Sequence, residues 1–205
     1  SPVPGMYISP SHQLATKTII VTLKELCERA EIDYTYNQQR SEFTFHNWGG
    51  TIWLGSGDKP DSLRGPNIGW AVIDEPFIQK REVFEQMIAR VRHPEAKKSQ
   101  IFLTGTPEQL NWGFTLANDP KLDLGTIQAS TLDNPHLPDD YKESLLQAYS
   151  EEQIDAYVHG KFVNLTQGRV YKDFDRDKHV VERPDLKNEG LPIGIGMDFN
   201  VDAMS

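Results

Sequence analysis

Apolar and polar positions along the chain change their period several times, and each change marks an element. Gly5–Ser9 (GMYIS) is a short apolar run, which predicts a buried strand. Ser9 and Pro10 follow as a helix cap and a first-turn proline. After them Leu14, Ile19, Leu23, Leu26 and Ala30 lie roughly on one helical face. Over residues 33–57 the period falls to two, with Tyr34 and Tyr36, Phe43 and Phe45, and Ile52 and Leu54 separated by polar turns and Gly49-Gly50. That alternation predicts two or three short strands. Residues 56–67 (SGDKPDSLRGPN) are rich in turn formers and read as an exposed loop.

A second strand-and-helix unit follows. Residues 68–73 (IGWAVI) predict a buried strand running into Asp74, Glu75 and Pro76. The helix after it carries Val83, Phe84, Met87, Ile88 and Val91 on one stripe and stops at His93-Pro94. Residues 100–103 predict another strand, ending in Thr104, Gly105, Thr106 and Pro107, and residues 125–129 a further one. Strands alternating with helices imply a mainly parallel sheet covered on both faces.

After Ser130 the character shifts. Asp133, Asn134, Pro135, His136, Leu137 and Pro138 form a turn-rich junction. Two helices follow it, one running from Pro138 to about Tyr149 and one opened by a capping box of Ser150 and Gln153. Beyond Gly160 come short extended pieces, a charged run at residues 172–178 and a strand at residues 193–198 (IGIGMD). Gly194 and Gly196 weaken that strand in isolation but suit close backbone approach. No internal repeat and no low-complexity tract interrupts the 205 residues, a length for one domain with part of a second. The opening on Ser1 and the ending just after an apolar strand read as an internal piece of a longer protein.

Composition narrows the classes. Hydrophobic residues at 38% and charged residues at 25% suit a soluble fold, and no apolar run is long enough to cross a bilayer. A single cysteine, Cys27, excludes an internal disulfide framework and a zinc ribbon; it reads as a small buried hydrophobe within a helix. The six histidines are scattered without ligand spacing, so they predict no histidine metal site. A net charge of -9 argues against broad nonspecific adhesion to DNA, because phosphate neutralisation requires a basic footprint.

The chemistry-bearing residues sit at strand ends. In open parallel sheets ligands bind beyond the carboxyl ends of strands, so Asp74 and Glu75 face such a crevice. An aspartate there holds Mg²⁺ through its water shell, and the glutamate after it orients or deprotonates an attacking water. The plainer reading is an acidic pair in a solvated turn. Thr104 and Thr106 end the next strand in the same way: hydroxyls there sense a γ-phosphate, and Gly105 permits tight backbone approach. A simple strand-ending turn uses the same residue types.

An acidic strand end, one helix and then a Thr-rich strand end is the order found in P-loop ATPases with an added catalytic glutamate. Over nearly its whole length the chain resembles the large terminase family of tailed bacteriophages. Ser62, Leu63, Arg64 and Gly65, followed by residues 68–75, resemble the family's arginine loop and Walker B strand. Residues 104–107 resemble its coupling motif. Asp133, Asn134 and Pro135 with Leu137 and Pro138, then Gly160, Lys161, Phe162 and Val163, then Val170, Tyr171 and Phe174, resemble its passage from ATPase to nuclease. Gly196, Met197, Asp198 and Phe199 resemble the first strand of its ribonuclease H-like nuclease.

The resemblance implies an α/β fold of the P-loop NTPase (RecA-like) class, with an incomplete, mainly parallel sheet, a helical lid or linker and the first strands of a nuclease. The corresponding spans are residues 1–132, 133–165 and 166–205. It implies Asp74 as the Mg²⁺-associated aspartate, Glu75 as the catalytic glutamate, and Arg64 as an arginine reaching a neighbouring subunit's ATP. Thr104 and Thr106 would couple hydrolysis to the lid, and Asp198 would be one of several carboxylates holding two divalent ions, Mg²⁺ or Mn²⁺, that cut DNA. As plainer roles, Arg64 would bond a loop carbonyl, Asp198 would cap a turn, and Asp202 reads as solvated. The implied partners are double-stranded viral DNA, a portal protein, a small terminase subunit and further copies in a ring. The implied place is the host cytoplasm, docked on the procapsid, with no membrane role.

No G-x-x-x-x-G-K-[ST] phosphate loop occurs in the chain, so the resemblance places that loop before Ser1 and the other nuclease carboxylates after Ser205. With both sites half-built, the chain alone is expected neither to turn over ATP well nor to cut DNA. Two other readings share features with this one. A superfamily 2 helicase has a similar order of motifs but needs a second RecA-like domain, where this chain has a short helical linker. A noncatalytic module that lost its phosphate loop would have no need of Arg64, Asp74, Glu75 and Thr104 together.

Overall fold

Aromatic residues spaced by two pair across neighbouring strands and build one half of a six-stranded sheet. β2 (Tyr34–Asn37), β3 (Glu42–Phe45) and β4 (Gly50–Ser56) are antiparallel neighbours, with Phe43 in register between Tyr36 and Ile52. Phe43 is fully buried, and its ring lies 4.5 Å from that of Tyr36. The computed structural model describes residues 2–122, 124–163 and 165, and the structural statements below concern these. They fall within one compact unit spanning Ser1–Thr166.

The other half is parallel. β1 (Gly5–Ser9) pairs with β4 on one side and with β5 (Trp70–Asp74) on the other, and β5 pairs with β6 (Gln100–Thr104), giving the order β2-β3-β4-β1-β5-β6. Four strands therefore end at the same carboxyl edge, at Ser9, Ser56, Asp74 and Thr104. The residues of β1 alternate between two cores. Met6 and Ile8 join Ala71, Ile73, Leu63 and Ile68 beneath Val83 and Met87 of α3 (Arg81–Arg90). Tyr7 faces the opposite side with Leu54, Phe43 and Phe45, beneath Ile20 and Cys27 of α2 (Ile19–Arg29). A helix thus packs on each face of the sheet, though on the α2 side Phe102 of β6 is left 48% exposed, and Cys27 is buried within a helix as its composition context suggested.

Several boundaries differ from the sequence reading. The first helix is capped by Ser11, whose side chain accepts from the Leu14 amide at 3.1 Å, and not by Ser9, which is the buried last residue of β1. That helix is two pieces, α1 (His12–Lys17) and α2, because Thr18 leaves helical geometry between them (φ -117°, ψ -89°). The break rotates the inward face onto Ile20 and Cys27 and leaves Leu26 48% exposed. Ile68 lies outside β5 and forms an isolated parallel bridge with Val91, while Ile88 points outward.

Residues 125–129 form no strand: Ile127 is 95% exposed and finds no partner strand among the described residues. An apolar alternation becomes a strand only where a neighbour satisfies its backbone. A helix that the periodicity does not announce, α4 (Trp112–Ala117), follows β6, capped by the Asn111 side chain.

The region after Ser130 is helical as expected, with α5 (Asp139–Ala148) and then α6 (Glu151–Gln153), whose capping box of Ser150 and Gln153 is formed on both sides. α6 runs into a π-helical turn, Ile154–Val158. Ser130 Oγ donates to the Val158 carbonyl and Thr131 Oγ1 to that of Tyr157, tying the start of the region to its end. Among the described residues no helix is long and apolar enough to cross a membrane.

Candidate functional site

The parallel pairing of β5 with β6 aligns Asp74 with Thr104, so the two candidate strand ends meet by register. Thr104 Oγ1 donates to Asp74 Oδ1 at 3.2 Å. One residue further, the Glu75 amide donates to the Thr104 carbonyl at 2.7 Å, and the Thr106 amide donates to Glu75 Oε2 at 3.2 Å. Asp74, Glu75, Thr104 and Thr106 therefore form one cluster at the carboxyl edge.

Glu75 leaves the strand in the left-handed region, with φ 46° and ψ 54°. A non-glycine residue held there carries roughly 1–3 kcal/mol of backbone strain and persists only when its surroundings over-determine it. Gly105 is part of that surround: a Cβ on it would stand 3.0 Å from the Glu75 Cα and 2.9 Å from Pro76 Cδ. The close approach expected of this glycine is made to Glu75 itself.

The electrostatics follow from partial burial of two neighbouring acids. Burial raises the Glu75 pKa above the ordinary carboxylate value, the Thr106 amide opposes it, and the charges of Asp74 and Glu108 raise it further. Tyr7, two strands over from Thr104, meets the same charges. Burial first, then hydrogen bonding to Asp74 and the charges of Asp74 and Glu75, push its phenol well above the usual tyrosine range.

Two further groups at this edge carry little signal in the sequence. The Gln79 side-chain amide donates to the Asp74 carbonyl at 2.6 Å. The Ser9 hydroxyl, fully buried at the end of β1, has no hydrogen-bond partner among the described residues. The one sequence signal for Ser9 is its position at a strand end, which the helix-cap reading obscures.

Among the described residues Arg64 shares no hydrogen bond or ion pair with the cluster. It follows the 3-10 turn Pro60–Leu63, its guanidinium is exposed, and it pairs with Asp61 at 3.0 Å. Leu63 beside it is buried in the core and anchors the loop. Asp198, Asp202, Gly194, Gly196, Val170, Tyr171 and Phe174 lie outside the described residues. Among those described, no group of three or more His, Cys, Asp or Glu side chains is arranged to hold a metal ion. Asp74 keeps one oxygen clear of Thr104, which suits a cation held mainly by a ligand's phosphates and water, not by a protein cage.

The fold and this edge define a mixed α/β domain with a mostly parallel sheet and an acidic pair, Asp74 and Glu75, at the sheet's carboxyl edge. The chain belongs to the family described as terminase large subunit, T4likevirus-type, N-terminal, whose model matches residues 7–178. No curated protein matches the chain. Among solved structures, the large terminase from a thermophilic bacteriophage is similar at 20% identity with a TM-score of 0.70, over 90% of this chain and 47% of that one. The same thermophilic-phage protein in complex with ADP aligns equally well, with a TM-score of 0.70. The Thermus phage P74-26 large terminase ATPase domain is similar at 14% identity with a TM-score of 0.55, covering 79% of this chain and 77% of that one. The chain thus spans about half the length of the thermophilic-phage terminase. The helicase-like and noncatalytic alternatives are not favoured by these matches.

Proposed function

We propose that this chain is the greater part of the ATPase of a large terminase subunit, and that the whole protein uses ATP hydrolysis to drive viral DNA into a procapsid. The observation that carries the reading is Glu75: a carboxylate of raised pKa, in a strained conformation, fixed on one oxygen by the Thr106 amide. Perturbed acids braced at a sheet's carboxyl edge are characteristic of catalytic sites.

In this mechanism Glu75 takes a proton from a water as its oxygen bonds to the γ-phosphorus. The bond from that phosphorus to the bridging oxygen breaks, and ADP leaves. Asp74 would hold Mg²⁺, which supplies charge neutralisation on the phosphates when bound. Thr104 and Thr106 connect the two strand ends, so loss of the γ-phosphate is passed to residues 104–107 and onward to the helical region over 133–165. The complexes of the thermophilic-phage terminase with ADP and ATP-gamma-S support ATP as the ligand. The reading requires a phosphate loop contributed by sequence outside Ser1–Ser205, since none lies within it.

Arg64, exposed and, among the described residues, paired only with a near neighbour in sequence, is suited to reach the ATP of an adjoining copy in a ring. Residues 166–205 would begin a nuclease in which Asp198, with carboxylates from further along the protein, would hold two Mg²⁺ or Mn²⁺ ions, which when bound would supply water activation and charge stabilisation for the cutting of concatemeric DNA. The partners are double-stranded viral DNA, the portal protein and the small terminase subunit, and the place of action is the procapsid in the host cytoplasm.

The decisive experiment is Glu75→Gln in the full-length protein. Hydrolysis is lost while nucleotide still binds; retained turnover removes Glu75 from its role. Asp198→Ala stops DNA cleavage and spares ATP hydrolysis, and unimpaired cleavage removes Asp198 from the nuclease site.

A further inference from the structure

The left-handed turn at Glu75 is held from outside by one short helix. After Glu75 the chain makes a 3-10 turn, Pro76–Ile78, and the Phe77 carbonyl within it and the Gln79 carbonyl after it are claimed by side chains of residues 111 and 112. The Asn111 amide donates to the Phe77 carbonyl, and the Trp112 indole donates to the Gln79 carbonyl at 3.0 Å. The other end of the Asn111 amide accepts from the Gly113 amide at 3.0 Å, so the side chain is used at both ends. The Trp112 ring is fixed in turn by stacking on Phe84 at 5.6 Å. A Cβ on Gly113 would collide with the Phe77 ring, so α4 is pressed against the turn.

Within the turn, local bonds are few. The Ile78 amide reaches the Glu75 carbonyl at 3.3 Å and the Gln79 amide reaches that of Pro76 at 3.0 Å. These close the turn, and the Gln79 side chain ties its far end back to the sheet by donating to the Asp74 carbonyl at 2.6 Å. Glu75 donates its amide to Thr104, and between Glu75 and Gln79 the side of the turn away from the sheet is held by Asn111 and Trp112 at the start of α4. A strained residue relaxes when the contacts that over-determine it are removed.

We infer that Asn111 and Trp112 are positioning residues for Glu75: they lock the turn that sets the left-handed backbone and thereby aim the carboxylate. The inference rests on Glu75 being the catalytic base. Neither side chain touches the reacting atoms. Their bonds fall on the main-chain carbonyls of Phe77 and Gln79, so their loss changes the aim of the carboxylate and not its identity.

The test uses the full-length protein with Asn111→Ser and Trp112→Phe. Ser caps a helix as well as Asn does, so Asn111→Ser keeps the cap of α4 and loses the amide donor to Phe77 without adding charge. Trp112→Phe keeps the aromatic packing and loses the indole N–H. Each variant is expected to lower kcat on the order of tenfold, equivalent to about 1.4 kcal/mol, with nucleotide affinity and the melting midpoint nearly unchanged. Unchanged kcat in both variants, or losses of affinity and stability in proportion to kcat, overturns the inference. If Glu75→Gln still hydrolyses ATP, the functional reading itself fails; if Glu75→Gln is dead while both variants are fully active, only the positioning role fails. Should one variant not fold, the other decides by the same criteria.

Discussion

Thr106 and Glu75 are joined across the sheet edge, the amide of the first donating to Oε2 of the second over 3.2 Å. Because Glu75 also donates its own amide to the Thr104 carbonyl over 2.7 Å, the two strand ends are fastened on both sides of Gly105. A movement of residues 104–107 therefore displaces the Glu75 carboxylate directly, and movement of Glu75 pulls on the segment that leads to α4.

Gly105→Ala tests that fastening. The added methyl would stand 3.0 Å from backbone at Glu75 and 2.9 Å from Pro76, both of which are held in place. Overpacking of this kind costs about 1–3 kcal/mol. Denaturant unfolding of the variant is expected to show a loss in that range together with reduced ATP turnover. Stability and turnover both at the level of the unaltered protein would mean that the strand ends are free to separate.

Glu75→Gln is expected to change stability as well as activity. Burial, and then the charges of Asp74 and Glu108 against the opposing Thr106 amide, hold the folded-state pKa above the unfolded value. A carboxyl group shifted upward favours the protonated form in the folded state. Its contribution is therefore intact below the ordinary glutamate pKa and is lost as pH rises through the folded value. At pH ~7 the glutamine variant should melt higher than the unaltered protein, and the difference should close toward pH ~4. A glutamine variant that melts lower at neutral pH would contradict the shift.

Arg64→Ala separates stability from catalysis. Its ion pair with Asp61 is exposed on both sides, and such pairs contribute less than ~1 kcal/mol. Hydrolysis by the assembled motor should nevertheless fall by ~10³ or more if the guanidinium completes a neighbour's site. Mixing Arg64→Ala subunits with Glu75→Gln subunits should restore part of the turnover, since some interfaces then join an intact Glu75 to an intact Arg64. A mixture as inactive as its components would rule out action between subunits.

Ser9→Ala concerns the hydroxyl buried at the end of β1 without a partner among the described residues. Removing an unsatisfied buried polar group is neutral or gains up to ~1 kcal/mol. Thermal unfolding should show no loss. A clear destabilisation would mean that the hydroxyl makes a bond that stabilises the folded protein.

Elements whose signal is local are legible in the amino-acid order. Alternation of Tyr34, Tyr36, Phe43, Phe45, Ile52 and Leu54 is enough for β2, β3 and β4, because period two is a property of a single strand. The runs ending at Asp74 and Thr104, and the capping box of Ser150 and Gln153, are legible for the same reason. So is the adjacency of Asp74 and Thr104 at one edge, since consecutive strands of a parallel sheet commonly lie side by side.

Features that depend on partners distant in the chain are settled by packing alone. Residues 125–129 alternate like a strand but meet no neighbour to pair with among the described residues, and the helix break at Thr18 turns the inward face to Ile20 and Cys27. The left-handed Glu75, the contact that only glycine allows at residue 105, and the hold of Asn111 and Trp112 on the turn all join segments far apart in the chain. Periodicity records which face of an element is buried; it carries no information on what the chain will later bring against that face.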